Sequence, residues 1–179
     1  MQINFVKRFM KKELKKFFLK FFYKRKLKRL PIKKFKKSKK LNLKILIIID
    51  NKLDMQIKDL SFVNQIFSTQ PENINFLWFN SNFVFDYPNH SRIDLDDISF
   101  TGKINNSFIN KKYDILLNLY DRDNIFLKYL SINIIHKFSI GFLMTDTNLN
   151  DLVFNFAPND MIFLKKEIVK YYNVINNHI

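Results

Sequence analysis

The spacing of apolar positions changes along this chain, and each change marks a part of it. Near the N-terminus, Ile3, Val6, Met10, Leu14, Phe17 and Phe21 recur at steps of three and four, which puts them on one stripe of a helix. Lys11, Lys12, Lys15, Lys16 and Lys20 fall on the other side. No Gly or Pro interrupts residues 5–30, Pro31 stops whatever precedes it, and Asn4 stands where an N-cap belongs. The pattern predicts an amphipathic helix about 40 Å long. Residues 31–40 (Pro-Ile-Lys-Lys-Phe-Lys-Lys-Ser-Lys-Lys) keep no period and predict a solvated, self-repelling linker.

From Leu43 the period is different. Leu43–Ile49 is a near-continuous apolar run, as in a strand covered on both faces. Asp54 caps a predicted helix over about 55–68, with Ile57, Leu60, Val63 and Phe67 on its inner face. After Pro71, Ile74–Phe79 reads as a second strand. Residues 80–112 are polar, acidic at Asp94, Asp96 and Asp97, and broken by Pro88 and Gly102, so no element is assigned there. Tyr113–Tyr120 is a third strand, followed by a helix from about Asn124 to Ile134. Lys137–Leu143 and Leu152–Phe156 are the fourth and fifth strands. Pro158 and Asn159 introduce a final helix to about Asn176, with Leu164, Ile168, Tyr171 and Ile175 on one face.

Strands alternating with helices predict an α/β fold. The expectation is a Rossmann-like, mostly parallel sheet of about five strands with flanking helices over residues 43–179. A long basic amphipathic helix and linker over residues 1–42 precede it.

Charge sharpens that division. The formal net charge is +15, but residues 1–44 hold 16 Lys and 3 Arg against one acid, Glu13, a balance of +18. The remaining 135 residues carry a balance of −3. Lys, Asn, Ile and Phe make up about half the chain, and their A/T-rich codons explain some of the lysine; they do not explain its confinement to one end. The chain has no cysteine, which removes disulfides and thiolate metal sites. Its longest uninterrupted apolar run, Ile45–Ile49, is far short of the ~20 residues of a spanning helix. Lys7, Lys11, Lys15 and Lys20 leave no apolar core for a secretory signal. A cytoplasmic protein without a transmembrane segment is the expectation.

Candidate chemistry is sparse. The only glycines are Gly102 and Gly141, so no clustered-glycine cradle exists for NAD, FAD, ATP or GTP in their usual forms, and no cofactor is expected. Ser99, Ser107, Ser131 and Ser139 lack a nucleophile elbow, and His136 ends a predicted helix, where a charge–dipole contact is the ordinary role. Strand ends do offer Asp50, Asp121 and Asp146, which could together hold a divalent metal in a nuclease-like site; otherwise they are loop and cap residues. Ile47-Ile48-Ile49-Asp50-Asn51 resembles the first metal-binding strand of a PIN-type ribonuclease.

The basic arm has three readings. Its bases can neutralise phosphates of structured RNA or a ribosome, with interleaved rings such as Phe9, Phe18, Phe22 and Phe35 stacking on unpaired bases. The residues assigned to RNA are Lys11, Lys12, Lys15, Lys16, Arg25, Lys26 and Arg29 on the helix, and Lys33, Lys34, Lys36, Lys37, Lys39 and Lys40 in the linker. A basic helix with an aromatic face can instead lie on an anionic membrane surface. Or the Phe stripe packs on the protein's own body or a protein partner, and the lysines are solvated.

From Leu43 onward the chain resembles an uncharacterised bacterial family of short Rossmann-like proteins. The match rests on Ile48-Ile49-Asp50, Phe100-Thr101-Gly102-Lys103-Ile104, Tyr113-Asp114-Ile115-Leu116-Leu117-Asn118, Asp123-Asn124, Ser139-Ile140-Gly141-Phe142 and Leu149-Asn150-Asp151-Leu152. The stretch from Tyr113 to Phe142 is also similar to the N-terminal domain of heptosyltransferase-like glycosyltransferases, which work in a cleft between two domains. Both likenesses imply the fold. Function is expected in the arm: a non-catalytic RNA-binding or ribosome-associated protein.

Overall fold

The computed structural model describes residues 2–30, 42–53, 55, 57–81, 88–143 and 146–177. Six strands form one sheet: β1 (Ile45–Asp50), β2 (Ile74–Phe79), β3 (His90–Ile93), β4 (Lys112–Leu119), β5 (Ile135–Phe142) and β6 (Leu152–Phe154). All pairings are parallel and the order is β3-β2-β1-β4-β5-β6, the doubly wound Rossmann arrangement. Among the described residues five α-helices accompany them: α1 (Gln2–Leu27), α2 (Phe62–Ile66), α3 (Ile125–Asn133), α4 (Met161–Lys170) and α5 (Tyr172–Asn177).

The central strands β1 and β4 are mostly apolar because both of their faces are covered. Ile45, Ile47 and Ile49 of β1 point into one core with Phe62, Val63, Leu164, Ile168 and Ile175 from α2, α4 and α5. Leu46 and Ile48 point the other way, into a second core built with Phe126, Leu127, Tyr129 and Leu130 of α3. That second core also contains Leu19 and Tyr23 of α1. The basic helix therefore supplies part of the helical layer on this face of the sheet, side by side with α3.

Several boundaries differ from the sequence expectation. There are six strands, because His90–Ile93 pairs with β2 at the sheet edge; of its four residues only Ile93 is buried. The helix expected over 55–68 is a 3-10 turn, Ile57–Leu60, followed by the short α2; Asp54 lies outside the described residues. The final helix breaks at Tyr171 and is capped by Asp160, whose carboxylate accepts from the Phe163 N–H at 3.0 Å. Asn4 lies inside α1, which starts at Gln2. His136 lies in β5, its Nδ1 2.9 Å from the Ile134 carbonyl oxygen, and so sits at no helix terminus.

Both glycines have packing reasons. Gly102 has φ +80°, and the Tyr129 hydroxyl donates to its carbonyl at 2.8 Å, so a methyl there would be strained and would strike Tyr129. A methyl on Gly141 would overlap the carboxamide of Asn150. That carboxamide closes a buried polar chain, accepting from Asn118 at 2.7 Å, while Asn118 accepts from the Ser131 hydroxyl at 2.8 Å.

Candidate functional site

Helix α1 carries two rows that the sequence alone cannot rank. The row facing the body is Lys15, Leu19 and Tyr23, all buried, with Phe22 and Leu27 half-buried beside them. Three polar contacts fasten it. The Lys15 ammonium donates to the Leu95 carbonyl at 2.5 Å and lies 5.6 Å from the centre of the Phe100 ring. The Tyr23 hydroxyl donates to Asp146 Oδ2 at 2.7 Å. The Lys26 ammonium donates to Asn133 Oδ1, at the end of α3.

Electrostatics around Lys15 assign a role to the acidic loop. Burial pushes its pKa down; Asp96, Asp94 and Asp97 pull it back up, and Lys11 works against them. The carboxylates of that loop compensate a lysine taken out of water. Tyr23 is pushed up by burial first and by its bond to Asp146 second.

Met10, Leu14, Phe17 and Phe21 are the other row. Their exposures are 64%, 52%, 69% and 58%. At about 100° per residue they lie roughly 160–220° around the helix from Leu19, diametrically away from the body. From Met10 to Phe21 the stripe that the sequence singles out is thus the solvent-facing one. Phe17 and Phe18 meet edge to face with centroids 5.9 Å apart, and Phe18 meets Phe100 in the same way at 6.4 Å.

The bases assigned to a partner divide accordingly. Lys11, Lys12, Arg25 and Arg29 are exposed. Lys16 pairs with Glu13 at 2.7 Å on the surface. Lys15 and Lys26 are committed to the body, and burial lowers the pKa of Lys26 as well. Lys33, Lys34, Lys36, Lys37, Lys39 and Lys40 lie outside the described residues. Three further exposed bases of α1 and the turn after it, Lys20, Lys24 and Lys28, were not assigned to RNA from the sequence. Helical spacing relative to Leu19 was the signal that could have found them.

At the strand ends the acids have separate partners. Asp50, 1% exposed, takes the Arg122 Nε at 2.5 Å and the Lys52 N–H at 3.2 Å. Because β1 and β4 flank the point where strand order reverses, this ion pair stands at the usual ligand crevice of such sheets. Asp146 accepts from Tyr23 and from the Asn148 N–H at 3.1 Å, while Asp121 is exposed. Among the described residues no three acidic or histidine side chains stand where they could hold a metal ion. A cavity of about 330 Å³ opens beside the edge strand β6. Phe154, Phe156, Phe163 and Tyr171 line it, with Glu167, which is bonded to Lys170 at 3.4 Å.

With this geometry established, comparison with known proteins gives one result. The model of a family of unknown function, DUF6913, matches residues 15–175. The chain belongs to that family. The DUF6913 match takes in all six strands, and within α1 it covers Lys15, Leu19 and Tyr23, the residues that fix the helix to the body. No curated protein and no solved structure matches the chain. No helix among the described residues is long and apolar enough to cross a membrane.

Proposed function

We propose that this DUF6913 protein is a non-catalytic docking module that attaches to a phosphate-bearing polyanion through the exposed side of α1 and the Lys-rich segment that follows. The observation that carries this reading is the set of bases Lys11, Lys12, Lys20, Lys24, Arg25, Lys28 and Arg29. All are exposed: five stand on α1, a helix that Leu19 and Tyr23 lock into the core, and Lys28 and Arg29 stand in the turn just after it. A fixed array of bases pre-pays the ordering that a flexible tail pays on contact. Structured RNA, including ribosomal RNA, is the partner that charge alone favours, and a cytoplasmic location goes with it.

Metal-dependent nuclease and glycosyltransferase chemistry gain no support from the strand ends. Asp50 is neutralised there by Arg122, and Asp146 serves to hold Tyr23.

Charge substitution tests this reading better than deletion of residues 1–40, since deletion would also remove Leu19 and Tyr23 from the core. Glutamine at Lys11, Lys12, Lys20, Lys24, Arg25 and Lys28 leaves the packed row intact. Wild-type affinity for a structured RNA or an anionic vesicle should fall steeply with salt; for duplex nucleic acid the log–log slope is about −0.9 per phosphate contact. The substituted protein should lose most of that affinity and of that slope. Unchanged binding by the six-glutamine variant overturns the reading.

A further inference from the structure

The geometry points to an anionic lipid surface as the polyanion, with α1 lying in its plane and Met10, Leu14, Phe17 and Phe21 reaching below the headgroups. This inference rests on the docking reading above and names its partner. The outermost line of α1 from Met10 to Phe21 is apolar, and the bases flank it: Lys20 and Lys24 on one side, Lys11 and Arg25 on the other, by helical geometry. A nucleic acid laid against this helix would bring its phosphates first to the row of Met10, Leu14, Phe17 and Phe21. It would strip water from charged phosphates and give apolar side chains in return. A bilayer surface reverses the match. Its acyl boundary takes the central row while headgroup phosphates meet the flanking bases, the arrangement of helices that lie on membranes.

Two further features fit. Among the described residues the row is four side chains over about three turns, and the flanking charge adds headgroup attraction to that apolar contact. The helix is also folded before it meets lipid, because Lys15, Leu19 and Tyr23 hold it against the body. Docking therefore carries the whole α/β body to the surface at a fixed orientation, with the α1 and α3 layer toward the lipid.

The test is flotation of the full chain with vesicles of phosphatidylcholine alone and of phosphatidylcholine mixed with phosphatidylglycerol, alongside binding to ribosomal RNA. The mixed vesicles should float the protein and the neutral ones should not. Phe17→Ser with Phe21→Ser should lower vesicle partitioning at least tenfold while leaving RNA binding unaltered. Lys20→Gln and Lys24→Gln should each lower it about fivefold, and salt should erase that part of the difference. These positions are exposed, and unchanged Trp78 fluorescence confirms that each variant is folded. RNA binding without flotation overturns the lipid inference and leaves the docking reading standing. Flotation of the double-serine variant at wild-type level also overturns the lipid inference. Binding to neither polyanion overturns both.

Discussion

Replacing Leu19 by alanine separates a helix that belongs to the fold from one appended to it. Leu19 is fully buried in the core that also holds Leu127 and Leu130 of α3. The substitution removes three carbons; at about 0.8 kcal/mol per buried methylene that is roughly 2.4 kcal/mol, and the cavity left behind brings the total to about 3–4 kcal/mol. Helix propensity contributes almost nothing, since Leu and Ala both favour helices. Phe17→Ala, two positions away, is the contrasting case. Phe17 is 69% exposed and points away from the body, so its loss should change stability by no more than about 0.5 kcal/mol. The better helix propensity of Ala and the loss of the edge-to-face contact with Phe18 oppose each other there. Urea unfolding followed by helical circular dichroism and by the fluorescence of Trp78, the single Trp, measures both. With an m-value of about 2 kcal/mol per molar urea, Leu19→Ala should move the midpoint down by about 1.5–2 M, on both probes together. A Phe17 variant that destabilises more than the Leu19 variant would refute the assignment of faces. A Leu19 variant that loses helix signal while Trp78 keeps its midpoint would show that α1 does not fold with the body.

Three other outcomes follow from named contacts. Burial would raise the pKa of Asp146, but the hydrogen bonds from Tyr23 and Asn148, with Lys128 nearby, outweigh it and hold the carboxyl below its ordinary value. Such a depressed group contributes stability that is complete above about pH 4 and is lost as pH falls through the lower folded value, so Asp146→Asn should flatten the acid limb of the urea-midpoint profile below about pH 4. Tyr23, Tyr113, Tyr120 and Tyr129 are all pushed above the usual phenol value, chiefly by burial. Their contribution is complete below about pH 10 and is lost as pH rises through the folded values, so their tyrosinate absorbance should appear together with alkaline unfolding and not ahead of it. Gly141→Ala forces Asn150 off Asn118 and should cost about 1–3 kcal/mol in the same urea assay.

What the sequence made legible was whatever a buried face imposes on it. The strands β1, β2 and β4 are mostly apolar because two cores meet there, and runs such as Ile45–Ile49 announce that directly. The edge strand β3 is written His-Ser-Arg-Ile, and with only Ile93 buried it leaves no periodic trace. For α1 the helical period was readable and the docking face was not. Leu19, Phe22, Tyr23 and Leu27 form one apolar row, while Met10, Leu14, Phe17 and Phe21 form another. Periodicity cannot tell which of two rows meets the body. The deciding residue, Lys15, looks like a surface lysine until the Leu95 carbonyl and the Asp94–Asp97 loop are seen around it. The acids Asp50, Asp121 and Asp146 looked like candidates for one site because topology places strand ends together. Their side-chain partners, Arg122 and Tyr23 among them, come from elsewhere in the chain and carry no spacing signal.

The contacts that hold α1 also set an order of events during synthesis. Lys15 waits for Leu95, 80 residues later; Lys26 waits for Asn133, 107 residues later; Tyr23 waits for Asp146, 123 residues later. At roughly 5–20 residues per second, that leaves both apolar rows of the helix uncovered for on the order of ten seconds on the ribosome. In that interval the helix has Leu19 and Tyr23 to offer as well as Phe17 and Phe21. A surface or chaperone that engages it then meets a stickier element than the finished protein displays, and completion of α3 withdraws half of that surface.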